Sequence, residues 1–252
     1  MLIHPTLDKL NTLRLTGMAR AYEQQLNMPD IETLSTDERL GLMVDCEVTE
    51  RESRRLKTRL RRAKLRHVAA IEDIDYRHPR GLDKSLMTQL ATSDWVRDHH
   101  NILITGPTGI GKSWLACALG HKGCRDGFNV LYARVPRFFR ELAIAKGDGR
   151  YLKLMASLVK TDLLILDDLG ASTLKDEQRR DLLEILEDRY GVRSTAVTSQ
   201  FPIEKWHELI ADPTLADAIL DRLVHNAYKI NLKGESMRKR RKKLTQTGHS
   251  DS

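Results

Sequence analysis

Gly106-Pro107-Thr108-Gly109-Ile110-Gly111-Lys112-Ser113 is the stretch on which the reading of this 252-residue chain turns. It matches the phosphate-binding pattern GxxxxGK[ST] at every fixed position. The short apolar run Ile102-Leu103-Ile104 precedes it, and the helical run Trp114-Leu115-Ala116-Cys117-Ala118-Leu119 follows. A strand, a glycine-rich loop and a helix in that order are the setting in which the pattern carries chemistry. Glycines let successive backbone N–H groups curl round phosphate oxygens, and the helix N-terminus adds a favourable dipole. Gly106 to Ser113 are therefore expected to cradle ATP. Lys112 would reach the β- and γ-phosphates, and the Ser113 hydroxyl would ligate Mg²⁺.

A second apolar run, Leu163-Leu164-Ile165-Leu166, ends in Asp167-Asp168. A side chain at the carboxyl end of a buried parallel strand faces the ligand crevice. Asp167 is expected to hold Mg²⁺ through its water shell, and Asp168 to polarise the attacking water. Many such sites carry Glu at the second position; aspartate is one methylene shorter. A third run, Ala196-Val197-Thr198, ends in Ser199-Gln200. Gln200 stands where a polar side chain can orient the lytic water or sense the γ-phosphate. A plain strand-to-loop turn reads almost as well from composition.

Working outward, short apolar segments alternate with helical ones after about residue 95. Strands are expected at Asn101–Thr105, Asn129–Ala133, Leu163–Asp167, Ser194–Ser199 and Ala227–Leu232, with the clearest helix between them at Leu174–Tyr190. Such alternation implies an α/β fold, a parallel sheet with helices on both faces. Residues 5–70 read as helices instead. Leu7, Leu10, Met18, Tyr22 and Leu26 recur at helical spacing up to Pro29. Ser35 and Glu38 form a capping box for a long helix carrying Leu40, Met43, Val44, Val48, Leu56, Leu60 and Ala63 on one face. The expected organisation is a small all-α N-terminal domain over 1–75, for DNA or a partner, and a linker over 76–94. A P-loop ATPase domain would follow over 95–235, then a basic flexible tail over 236–252.

The composition, 40% hydrophobic and 31% charged, excludes collagen-like, mucin-like and wholly disordered chains. No apolar run approaches the length of a membrane helix. Three cysteines without CxxC spacing, and a start lacking the features of a signal peptide, point to a reduced, cytoplasmic chain. His99-His100 has no carboxylate or cysteine at metal-ligand spacing and reads as structural.

The net charge of +7 is unevenly placed. Arg51 to Arg66 holds nine Arg/Lys against one Glu, and Lys233 to Lys243 holds seven against one, so the remainder is net acidic. Concentrated positive charge attracts polyanions, of which nucleic acid is the commonest. Arg54, Arg55, Arg59, Arg61, Arg62 and Arg66 are the expected contacts to duplex DNA. With only 5% aromatic residues, phosphates rather than stacked bases should supply the affinity. A metabolic P-loop kinase would give no reason for two basic segments.

Several further blocks carry a family likeness. His99-His100-Asn101-Ile102-Leu103-Ile104-Thr105-Gly106-Pro107-Thr108-Gly109, Asp188-Arg189-Tyr190 and Thr198-Ser199-Gln200-Phe201-Pro202 resemble the IstB-like ATPases. So do Asp212-Pro213-Thr214-Leu215-Ala216-Asp217-Ala218-Ile219-Leu220-Asp221-Arg222-Leu223 and Gly234-Glu235-Ser236-Met237-Arg238. These are AAA+ helper proteins encoded by insertion sequences beside their transposase, and they are related to bacterial helicase loaders. The resemblance spans most of the chain. It implies a sheet ordered 5-1-4-3-2 and Mg²⁺-dependent ATP hydrolysis that is slow until assembly or DNA stimulates it. It also implies ATP-dependent homo-oligomers on DNA, and recruitment or activation of a cognate transposase. Arg222 would be the arginine finger, with Arg189 and Arg193 as nearby competitors. Arg238 is the candidate sensor-2 arginine, although only about 20 residues follow the last strand, too few for a full helical lid. A helicase-loader-type protein acting in replication is the alternative. A long basic helix favours direct DNA binding, whereas an exposed apolar stripe would favour helicase docking. Residues 146–160 suit a DNA-touching insertion or a solvated helix equally.

Overall fold

The computed structural model describes residues 5–237. They divide into two units, the first ending at Thr58 and the second beginning at Arg59.

In the first unit, α1 (Pro5–Thr12) and α2 (Thr16–Leu26) precede the long α3 (Thr36–Ala63), whose last turns belong to the second unit. The capping box is present: the Ser35 backbone N–H and hydroxyl both donate to Glu38 Oε2 at 2.8 Å. The expected apolar face of α3 is only partly used. Leu40, Val44 and Val48 are exposed, while Glu47 is buried. The reason is local. Glu47 Oε2 accepts the N–H groups of Gly17 at 2.7 Å and Met18 at 3.2 Å, satisfying the free amides at the start of α2. The approach demands glycine: a Cβ on Gly17 would lie 2.5 Å from Glu47 Cα.

The second unit continues through α4 (Lys84–Leu90) and α5 (Asp94–Arg97) into β1 (Asn101–Thr105) and α6 (Lys112–Arg125). Next come β2 (Val130–Arg134), α7 (Val135–Gly147), α8 (Tyr151–Val159), β3 (Leu163–Leu169) and α9 (Asp176–Arg189). β4 (Ser194–Ser199), α10 (Trp206–Ile210), α11 (Pro213–Val224) and β5 (Ala227–Asn231) complete it. The five strands are parallel in the order β2-β3-β4-β1-β5, the 5-1-4-3-2 order implied by the resemblance. Buried on both faces, the central strands read as continuous apolar runs, which is why they were legible. On one face Leu103, Leu164, Leu166 and Val197 share a core with Phe138, Leu142, Leu158, Leu182, Ile185, Ile219 and Leu223 from the helices. The intervening Ile165 points to the opposite face, where its Cδ1 packs at Gly120 of α6.

The unit boundary falls inside α3 rather than near residue 75, because residues 59–75 pack on α6. Arg59 Nε donates to the Cys124 carbonyl at 2.7 Å, Leu65 meets Gly120, and Glu72 pairs with Arg125 at 2.6 Å. Residues 76–94 are likewise built in. Arg80 is buried, and its carbonyl accepts the Lys233 N–H at 2.9 Å.

Candidate functional site

The parallel sheet sends β1, β3 and β4 to one edge, and their carboxyl ends deliver the three motifs. The loop after β1 turns into α6 directly at Lys112. Gly106 holds φ at +142°, and a Cβ there would overlap the Leu232 carbonyl oxygen, so only glycine fits. Lys112 is buried, with Nζ donating to the carbonyls of Gly106 at 2.7 Å and Pro107 at 3.0 Å. The ammonium is thereby folded over the loop that a triphosphate would fill. Ser113 follows in the first turn of α6. Glycines at positive φ, a helix N-terminus and a lysine at the loop mouth suit polyphosphate.

β3 and β4 pair in register up to Leu166 with Val197 and resume at Leu169 with Ser199, leaving one extra residue on β3. Asp168 takes up that bulge with φ at +64°, a left-handed conformation costly for most residues but tolerated by aspartate. Both carboxylates thereby meet the same arginine. Arg66 Nη1 lies 3.8 Å from Asp167 Oδ2 and 4.0 Å from Asp168 Oδ2. Asp167 is fully buried; the Thr198 hydroxyl donates to its Oδ1 at 2.6 Å and the Tyr132 hydroxyl to its Oδ2. Asp168 Oδ2 accepts from Arg134 Nε at 2.8 Å. Burial, reinforced by the neighbouring Asp167, pushes the Tyr132 phenol strongly upward, so it stays a protonated donor. The hard oxygens of Ser113 and Asp167 are of the kind Mg²⁺ selects beside phosphate.

Gln200 joins the same edge: the Thr108 hydroxyl of the P-loop donates to its Oε1 at 3.2 Å. This links the tip of β4 to the loop after β1.

The family model for IstB-like ATP binding protein matches residues 8–245. The chain belongs to that family. An insertion sequence ATP-binding protein of Sinorhizobium fredii is 58% identical over 243 residues, covering 96% of this chain and 99% of the relative. The IS21 ATP-binding protein of Pseudomonas aeruginosa is 32% identical, covering 93% and 88%. Among solved structures, the DnaC helicase loader superposes with a TM-score of 0.55 at 19% identity, covering 66% of this chain and 97% of that one. DnaI gives 0.55 at 23% identity, covering 66% and 91%. These likenesses are of fold alone. The chain is thus an insertion-sequence-type ATP-binding protein with a helicase-loader-like fold.

In this IstB-like protein Arg222 lies at the other end of the sheet. Its carbonyl accepts Asn101 Nδ2 at 3.0 Å, at the start of β1, whereas the P-loop leaves the far end of that strand, about 13 Å along. Its guanidinium pairs with Glu187 at 3.3 Å and lies over the Tyr190 ring, with the side chain 30% exposed. The competitors are committed to the fold. Arg189 is buried and donates to the carbonyls of Leu158, Thr161 and Ser194; burial, then Arg193, pulls its pKa down. Arg193 bonds the Val159 carbonyl at 3.2 Å and pairs with Asp162.

The six arginines expected at DNA separate into two groups. Arg54, Arg55, Arg61 and Arg62 are exposed, Arg54 pairing with Glu50 at 3.1 Å. Arg59 and Arg66 turn to internal partners, Cys124 and the Asp167–Asp168 pair. Arg238 and most of the basic tail lie outside the described residues. His99 and His100 form the turn before β1, and no cluster of metal-ligating side chains occurs among the described residues. Among those residues no helix is long and apolar enough to cross a membrane.

Sequence reasoning missed Tyr132, Thr198, Arg134 and Arg80. Arg134 is register-paired with Asp167, a relation visible only once β2 is known to flank β3. Arg80 Nη1 approaches the Ile110 carbonyl at 3.3 Å and Met237 Sδ at 3.4 Å, while the Met237 N–H donates to the Gly109 carbonyl at 3.0 Å. Residues that precede and follow the strands in the chain thus brace the P-loop.

Proposed function

We propose that this protein is a Mg²⁺-dependent ATPase that assembles as a homo-oligomer on duplex DNA. There it recruits or activates the transposase of its insertion sequence. The observation that carries the reading is the separation of Arg222 from the P-loop of its own subunit by the length of β1. A partly exposed arginine at that end can complete the site of a neighbouring copy, which ties hydrolysis to assembly. The insertion-sequence names of the relatives support the transposition setting.

The chain's own residues divide the work. Loop amides from Gly106 to Ser113 receive phosphate oxygens, and Lys112 exchanges its loop carbonyls for the β- and γ-phosphates. Ser113 and Asp167 would hold Mg²⁺, which supplies neutralisation of phosphate charge. Asp168 accepts a proton from water positioned with Gln200. A neighbour's Arg222 stabilises charge on the transferred group, an effect of about 10³–10⁵ in rate for such arginines. Arg54, Arg55, Arg61 and Arg62 neutralise DNA phosphates with little base preference.

A second reading, a loader for a replicative helicase, draws on the exposed apolar side chains Leu40, Val44 and Val48 of α3. Such a stripe suits a protein partner, and a transposase meets that need equally well.

The test is subunit mixing. Arg222→Ala should bind ATP and hydrolyse it poorly, and Lys112→Ala should bind it much more weakly. Mixed in ATP and DNA, the two should recover part of the lost rate, because some interfaces pair an intact pocket with an intact finger. No recovery at any ratio, with mixed assemblies confirmed by cross-linking, would exclude a role for Arg222 in trans.

A further inference from the structure

Arg66 closes the most strongly basic segment of the chain, yet its guanidinium faces Asp167, expected to hold Mg²⁺, and Asp168, expected to polarise the attacking water. The local chain explains how. α3 stops at Ala63, Lys64 adopts a left-handed φ of +51°, and the chain turns onto α6. Arg59 and Leu65 pin that turn through the Cys124 carbonyl and Gly120. Arg66 is left reaching the end of β3, with its side chain still 39% exposed.

The electrostatics make this cation consequential. Two adjacent carboxylates, one fully buried, require positive charge nearby. Arg66 faces both, and its own pKa is raised chiefly through the Tyr132 hydroxyl, which in turn donates to Asp167. A divalent cation held by Asp167 would experience the guanidinium as a like charge at close range. The same guanidinium is accessible enough to pair with a phosphate.

We propose that Arg66 is the resident counter-cation of Asp167, beside Arg134 on Asp168. It yields to Mg²⁺–nucleotide, and duplex DNA bound to the basic segment draws it away, so DNA and Mg²⁺–ATP bind with positive coupling through this residue. The inference rests on the ATP- and DNA-binding reading above and assigns Arg66 a part in both. Coupling of this kind is reciprocal: whatever DNA does to nucleotide affinity, nucleotide does to DNA affinity.

The experiment follows a fluorescent, non-hydrolysable ATP analogue binding to the full chain across a Mg²⁺ titration, with and without a short duplex. Arg66→Gln should reach half-saturation at about 10-fold lower Mg²⁺ than the wild type without DNA. Duplex should shift the wild type by a similar factor and leave Arg66→Gln unmoved. Arg66→Lys, which keeps the charge, should stay close to the wild type, and thermal melting should show all three folded. An unchanged Mg²⁺ requirement in Arg66→Gln overturns the proposal. So does weaker nucleotide binding, which would make Arg66 a phosphate ligand, or an undiminished DNA effect in that variant. Failure of the wild type to bind the analogue or the duplex at all would instead overturn the functional reading itself.

Discussion

The Thr198 hydroxyl donates to the buried Asp167 carboxylate at 2.6 Å, joining β4 to the acidic end of β3. The same oxygen accepts the Asp168 N–H at 3.0 Å, so one β4 side chain steadies both residues of the β3 bulge. Thr198→Val preserves shape but leaves the carboxylate and the amide each one partner short. It should cost about 1–3 kcal/mol in urea unfolding, with Thr198→Ser retaining most of the stability. Equal stability of the valine and threonine forms would show that the hydroxyl does not hold the bulge.

Lys112 and Asp168 should fail in different ways. Lys112→Ala removes the ammonium from the loop mouth and should weaken ATP binding roughly 10- to 100-fold. Asp168→Asn should bind ATP normally and lose about 10²–10⁴ in turnover, the usual contribution of a general base. Calorimetric binding and phosphate release separate the two. Normal hydrolysis by the lysine variant would remove it from the site.

How far the sequence alone reaches follows from where each signal resides. Strand limits came within one or two residues, because apolar runs bounded by turn residues mark buried parallel strands locally. The P-loop and Asp167-Asp168 were equally local. Tyr132, Thr198 and Arg134 were not, because their partners lie 30 or more residues away and are neighbours only through the strand order. Helical periodicity likewise placed Leu40, Val44 and Val48 on a stripe, but it could not reveal that Glu47 would occupy the buried face by capping α2. Nor does positive charge reveal its own partner. Arg59 and Arg66 look like their exposed neighbours until the turn after α3 is seen.

Glu47 should make the helical unit acid-sensitive. Burial alone would raise its pKa, but Arg51 and the amides of Met18 and Gly17 outweigh that and hold it below the usual glutamate value. A depressed pKa contributes stability that is complete above the unfolded value, near pH 4.3, and is lost as pH falls through the lower folded value. Glu47→Gln should therefore reduce helicity at pH 7 and show a shallower further decline between pH 5 and 3 by circular dichroism. A decline as steep as the wild type's would place the acid sensitivity elsewhere.

The exposed arginines should carry the salt dependence of DNA binding. If three or four phosphates are neutralised per subunit, log affinity should fall with log salt at a slope of roughly 3. Replacing Arg54, Arg55, Arg61 and Arg62 by Ala should remove most of that slope and leave ATP affinity intact. Truncation after Met237 keeps the residues that touch the P-loop and should weaken binding less. Loss confined to the truncation would make α3 a partner-docking surface.

Sedimentation velocity of the full chain with a labelled duplex, with and without Mg²⁺–ATP, tests the central claim most directly. ATP-dependent assembly predicts that several subunits co-sediment with each duplex only when ATP is present, and that Lys112→Ala forms no such species. A wild-type chain that remains monomeric, or binds DNA identically with and without ATP, would contradict it.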